Sequence, residues 1–412
     1  MTSPLTTFRE SLALLRTRRF GTFWIASLLS NIGTWAQQVA EPWLLLSLGA
    51  SSFLIGLDSF AMNAPIWFLT LLGGVLADRA DRRRVITLFQ SIQMLCPLLI
   101  VVLLTTTGTV HPWLIIVLSL IVGITDALSM PSFQSIVPSL VDREQIGRGL
   151  ALNSTQFNLS RILGPAIAGV LMASVGVVAC FALSAASYLP FIAIALWILP
   201  RRVRRSTLDG RADGRHPFSG LREVLATPVL RGALLTVLAT SVLCGPLITF
   251  VPVLISTAFH GDASHYSATV GAFGVGGLLG AIGMLGVPAG QDRRRWSSGL
   301  ALAYGLILVT IALFPAFWGL PPLMILAGAA MTVSNVAANA LLQTTAPPQL
   351  LGQAASLFML SMRGGIALGS LVTGVAIDLF GARHALLLNG ILAVAAQLAI
   401  ARVWLFRAPA MR

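Results

Sequence analysis

The stretch GVLADRADRRR (residues 74–84) carries six charged side chains in eleven residues, in a chain where only 10% of residues are charged. An apolar run lies on each side of it, over about 53–77 and 84–106. A bilayer core of about 30 Å takes roughly 20 apolar residues per helix. A charged island between two runs of that length therefore reads as a loop at the membrane surface, joining two spanning helices.

Working outward, the same reading covers the rest of the chain. Apolar residues make up 56% of the 412, and mean hydropathy is +0.86. Soluble domains average about 25% charged residues, so a water-soluble globular fold is excluded. The first apolar stretch, from Phe20 to about Leu48, is too long for the apolar core of a secretory signal, and it reads as a span. Punctuation by polar, Gly and Pro residues predicts twelve spans: 20–48, 53–77, 84–106, 112–137, 150–174, 177–199, 230–257, 268–288, 297–315, 320–343, 353–379 and 384–406. Cys96, Cys180 and Cys244 stand apart in apolar runs with no CxxC pairing. No disulfide framework, metal site or cofactor is expected.

The basic residues fix an orientation. All 27 are arginines. With the N-terminus in the cytoplasm, 24 fall in inside segments, Arg383 alone falls outside, and Arg161 and Arg363 lie within spans. This asymmetry is the positive-inside pattern. The net charge of +13 is thus topological, and nucleic acid is not implied. The Arg-rich stretch RRVRRSTLDGRADGRHP (201–217) reads as a cytoplasmic linker. It predicts a division into six spans (1–199), a linker (200–229) and six spans (230–412). GQDRRRW (290–296) repeats the Asp-then-arginine run of the opening stretch about 210 residues later, and SMRGGIALG (361–369) follows SRILGPAIAG (160–169) by about 200. Two duplicated halves follow, an arrangement common in secondary transporters.

On these motifs the chain resembles the major facilitator superfamily. In the signature between the second and third helices, Gly74, Asp78, Arg79, Arg82 and Arg83 match, while Asp81 stands where glycine is usual. The resemblance implies an all-α integral membrane fold of twelve helices in two pseudo-symmetric six-helix bundles. It also implies that Asp78 stabilises one conformation by joining the halves. SRILGPAIAG is similar to the fifth-helix antiporter motif, with Gly164, Pro165 and Gly169 matching and Ser160 and Ala168 replacing glycines. Small residues there allow close helix approach. Three further stretches, residues 30–57, 131–154 and 160–169, resemble the transmembrane secretion effectors, the branch of enterobactin exporters and macrolide efflux pumps.

Ionisable groups within spans are costly and commonly functional. QQVAEPW (37–43) places Gln37, Gln38 and Glu41 one turn apart on the first span, hence on one face. In the resembled fold the first, fourth, seventh and tenth helices line the cavity. A carboxylate withdrawn from water protonates more readily, so Glu41 is a candidate proton-coupling group. Its plain alternative is a water-exposed residue at the cavity mouth. Asp126 is a second acidic candidate, facing the cavity or pairing with an arginine. Asn335 and Asn339, four apart on the tenth span, are candidate cavity residues, with Phe250 as a possible aromatic wall. Arg161 and Arg363, at repeat-related positions, are candidates to pair with acids, to neutralise an anionic substrate or to snorkel to lipid headgroups; structural pairing with a role in gating is the preferred expectation. Asp58 and Asp378, near the outer ends of their spans, are expected to reach water.

No Walker motif (GxxxxGK[ST]) occurs in the sequence, so an ion gradient is the expected energy source. The reading is an exporter of amphipathic small molecules (siderophore, macrolide or drug-like) by proton antiport, multi-pass in the bacterial inner membrane, with both termini cytoplasmic. The expected partners are a small-molecule substrate, protons and the lipid bilayer, with the chain monomeric. A proton-coupled importer of a nutrient on the same fold is the first alternative. A receptor or membrane enzyme is the second. The five histidines fall at loops, with no HExxH or GxSxG in a span, and no catalytic residue is expected.

Overall fold

The computed structural model describes residues 13–79, 81–134, 136–142, 145–198, 219–285, 291–314, 316–347 and 350–406. Among these there is no strand, and twelve long helical segments run in chain order. They are α1 (Arg18–Ser47), α2a (Ser52–Asn63) with α2b (Pro65–Arg79), α3 (Arg82–Thr106), α4 (Pro112–Gln134), α5 (Ile146–Ser174) and α6 (Val177–Ile198). Then follow α7a (Pro228–Leu243) with α7b (Pro246–Ala258), α8 (Ala263–Leu285), α9 (Arg293–Leu313), α10 (Leu320–Thr345), α11a (Leu351–Met359) with α11b (Gly365–Phe380), and α12 (Ala382–Phe406). A short helix, Ser219–Ala226, precedes α7a.

Eleven of the segments are long and apolar enough to cross a membrane. The twelfth, α1, has the length, at 30 residues. It falls short in hydropathy, because it carries Asn31, Gln37, Gln38 and Glu41 along with several Ser and Thr. Leu88, Leu95, Leu98, Leu99 and Val102 of α3 are exposed, which suits contact with lipid.

Three spans are interrupted where the sequence reads as continuous. α2 breaks at Ala64, before Pro65, and α7 breaks at Cys244 and Gly245, before Pro246. Proline supplies no backbone N–H and crowds the preceding turn, so it opens the helix at that point. In α11 the turn Leu360–Gly364 is a π-helix, a widened turn often found at functional positions.

Three helix starts are fixed by aspartate. Asp81 accepts from the Arg83 N–H at 3.0 Å, and Asp292 accepts from the Arg294 N–H at 3.0 Å. Asp262 accepts from the N–H groups of Ser264 (2.9 Å) and His265 (3.1 Å). A carboxylate at an N-cap satisfies a donor the helix leaves unpaired and favours the positive end of its dipole. Asp81 has φ −67° and ψ 110°, an ordinary extended conformation. The turn therefore needs no glycine, and the aspartate there acts as a cap. Asp81 and Asp292 do the same work in the two DRRR repeats.

By Cα proximity the chain forms two compact units, Met1–Glu41 with Pro65–Ser206, and Pro42–Ala64 with Thr207–Arg412. The chain passes between them within α1 and α2, before Pro42 and before Pro65. In the first unit an apolar core joins Phe20, Phe23, Ile86, Ile136, Val137 and Phe191. A Cβ on Gly164 of α5 would strike Trp35 of α1, and one on Gly73 would meet the carbonyl oxygens of Ala127 and Leu128 on α4 at 2.9 Å. In the second unit a core joins Leu230, Val237, Leu341, Leu342, Phe358 and Trp404. There α8 and α10 touch backbone to backbone: a Cβ on Gly276 would strike the Ile325 carbonyl, and one on Gly328 the Phe273 carbonyl.

Candidate substrate and proton site

In the first unit α1 brings Glu41 into the interior. The residue is 3% exposed, and its Oε1 accepts a hydrogen bond from Ser119 Oγ of α4 at 2.6 Å. Gln37, one turn earlier, is buried, and Gln38 is half-buried. Pro42 follows directly, inside α1, which continues to Ser47; it supplies no backbone N–H to the helix beside this carboxylate.

Further polar groups are buried within the same unit. Gln90 Nε2 donates to Gln93 Oε1 at 2.8 Å, and Gln93 Nε2 donates to Thr125 Oγ1 at 3.2 Å. Thr125 in turn donates to the Ile121 carbonyl. Tyr188 of α6 and Thr34 of α1 share a hydrogen bond of 3.0 Å. Asp126 follows Thr125 on α4, is half-buried, and lies within electrostatic reach of Tyr188. Helices α1, α3, α4 and α6 thus contribute hydroxyl, amide and carboxyl groups to one apolar interior. Hydroxyls and amides can both give and accept hydrogen bonds, so they can adapt to a carboxyl that gains or loses a proton.

The other residues singled out from sequence fall as follows. The Arg161 guanidinium lies over the Trp35 ring at 5.8 Å, with Phe157 edge-on to the same indole at 6.2 Å. Arg161 therefore stacks on α1, at the position where Gly164 lets the two helices meet. Gly169 is buried, and Pro165 lies within α5. Arg363 lies in the π-turn of α11. Asn335 is buried, and half-buried Asn339 accepts from Gln343 Nε2 at 3.3 Å. Phe250 is fully buried and packs in the core. Gly74, Asp78 and Arg79 lie near the end of α2b and Arg82 opens α3; their side chains are outside the described residues. Arg83 is half-buried. Asp378 is exposed, whereas Asp58 is 5% exposed, so the expectation that Asp58 reaches water is corrected: α2a turns it inward.

Sequence reading passed over Ser119, Gln90, Gln93 and Tyr188. Gln90 and Gln93, three apart in an apolar span, carried the same signal as Gln37 and Glu41. Among the described residues no group of His, Cys, Asp and Glu is arranged to hold a metal ion.

The helical segments, eleven of them long and apolar enough to cross a membrane, make a multi-pass chain of the major facilitator fold. Solved structures agree on the fold. A mutant of the nucleoside transporter NupG superposes with TM-score 0.74 at 13% identity, covering 93% of this chain and 99% of its own. A bacterial homologue of the iron transporter ferroportin, in an inward-facing state, gives 0.65 at 17%, covering 94% and 98%. The sequence is more specific: the transmembrane secretion effector profile matches residues 9–411, and the chain belongs to that family. Its relatives include the staphyloferrin A transporter of Staphylococcus aureus, 24% identical over 87% of this chain and 89% of the relative. The enterobactin exporter EntS of Shigella boydii is 26% identical over 88% and 86%. The multidrug efflux pump Tap of Mycolicibacterium fortuitum is 26% identical over 80% and 81%.

Proposed function

We propose that this transporter exports amphipathic small molecules, of siderophore, macrolide or drug-like type, across a bacterial inner membrane in exchange for protons. The observation that carries the reading is Glu41, a buried carboxylate held by Ser119 among groups that can donate or accept. Binding a proton removes the cost of a buried charge, and releasing it restores an anion that a polar or cationic substrate group can meet. Glu41 alternates between these partners, with Gln37, Gln38 and Asp126 as further contacts in the first unit; Asn335 and Asn339 are the candidate substrate contacts of the second unit. Asp78, Arg79, Arg82, Arg83, Arg161 and Arg363, with Gly74, Gly164, Pro165 and Gly169, serve the conformational change. The excess of arginines in alternate loops supports cytoplasmic termini. Relatives named as exporter and efflux pump support the outward direction; the likeness to a nucleoside transporter is one of fold alone.

The test is whole-cell accumulation of a panel containing lipophilic dyes, a macrolide and a catecholate siderophore. Cells carrying vector, wild type and Glu41→Gln are compared at equal expression. Wild type is expected to lower accumulation of at least one compound, and Glu41→Gln to abolish the effect. Raised accumulation with wild type would mean import. Full export by the variant would remove Glu41 from the coupling role.

A further inference from the structure

Helix α2a and helix α11b meet inside the second unit, although Ser52 and Asp378 are 326 positions apart. The first turn of a helix leaves its leading N–H groups without partners. In α2a those of Ser52, Phe53 and Leu54 are accounted for. Ser51 Oγ accepts from the Leu54 N–H at 3.3 Å, whereas Asp378 Oδ1 and Oδ2 accept from the N–H groups of Ser52 and Phe53 at 3.0 and 2.9 Å. A single carboxylate from the C-terminal turn of α11b thus caps another helix, where the dipole also favours its charge.

Beneath the cap the two helices touch by backbone. A Cβ on Gly374 would lie 2.6 Å from the Ser52 carbonyl oxygen, and one on Gly56 would strike the Ser370 carbonyl. Next comes a layer of hydroxyls: Ser59 donates to Ser370 at 3.1 Å, and Ser370 and Thr249 of α7b share a 3.4 Å contact. The Phe250 ring lies 3.3 Å from the same Cβ position on Gly374, so one aromatic side chain backs these glycine and hydroxyl contacts. Every polar group in them can be satisfied by water once the helices part. Phe53 and Asp378 are exposed, whereas Ser52 is buried, so water reaches the capping carboxylate from one side.

We propose that Asp378 is a releasable latch: it positions α2a against α11b, and its departure opens the hydroxyl layer between them. The inference needs neither the direction of transport nor proton coupling. It is tested on purified protein in detergent with no substrate. A Thr249→Cys reporter is placed under the latch, Cys96 and Cys244 are replaced by Ala, and buried Cys180 is kept as the internal control. A bulky water-soluble maleimide probes both thiols.

In Asp378→Ala the reporter is expected to label about fivefold faster, the scale of losing a strong helix cap. In Asp378→Asn, which keeps an acceptor but loses the charge, the rate should fall between wild type and Asp378→Ala. Cys180 should label as before. An unchanged reporter rate in a stable Asp378→Ala protein would overturn the latch. So would a parallel rise at Cys180, which would signal general loosening. If Asp378→Ala gives no protein, Asp378→Asn against wild type decides by the same criteria.

Discussion

At the residue scale, the contrast between Glu41 and Asp292 shows how setting decides the work of a carboxylate. Glu41 lies inside an apolar unit with a hydroxyl on it. Glu41→Gln preserves size and hydrogen bonding but removes the protonation equilibrium. It is expected to cut export about a hundredfold or more at equal expression, the range lost with a positioned proton-transfer group, read from initial efflux rates. Asp292 is at a surface helix start, where Arg294 also donates to it through Nε and Nη2. The side-chain hydrogen bond from Arg294 holds its carboxyl below the usual carboxylate range. A folded-state value below the unfolded one stabilises the protein above that range, and the contribution fades as pH falls through the folded value. Asp292→Ala should therefore cost about 1 kcal/mol at neutral pH, and the gap to wild type should narrow on acidification. Thermal unfolding in detergent between pH 7 and pH 3 measures both. A gap that widened with acid would contradict the capping account.

At the element scale, glycines set how closely helices approach. Gly276 and Gly328 each face a carbonyl of the opposite helix across the α8–α10 contact. Gly276→Ala or Gly328→Ala should destabilise by about 1–3 kcal/mol. The double variant should cost less than the sum, because one displacement relieves both clashes; thermal unfolding of the three variants checks this. Much of this level was legible beforehand. Eleven of the spans followed from hydropathy, and each of the paired DRRR stretches starts a helix with a capping aspartate, Asp81 or Asp292. The breaks before Pro65 and Pro246 were not drawn, because proline is tolerated in membrane helices when neighbours satisfy the freed carbonyls. The π-turn at Leu360–Gly364 left no periodic trace. Nor did the partners of Glu41: a lone Ser119 in an apolar run does not announce which helix it faces. The reach of Asp378 to Ser52 and Phe53 depends on a tertiary contact that spacing does not encode.

At the scale of the whole molecule, the arginine asymmetry assigns a topology that loop reporters can check. Alkaline phosphatase fused after residue 110 is expected to be active, and a fusion after residue 215 inactive; the reverse pattern would invert the orientation. The central claim, proton-driven export, is tested most directly in everted membrane vesicles with an acidic lumen, using the compound whose accumulation wild type lowers. Wild-type vesicles should take up that compound, lose the uptake when a weak base dissipates the pH gradient, and show none above background with Glu41→Gln. Uptake that persists unchanged without the gradient, or that the variant supports in full, would contradict the account.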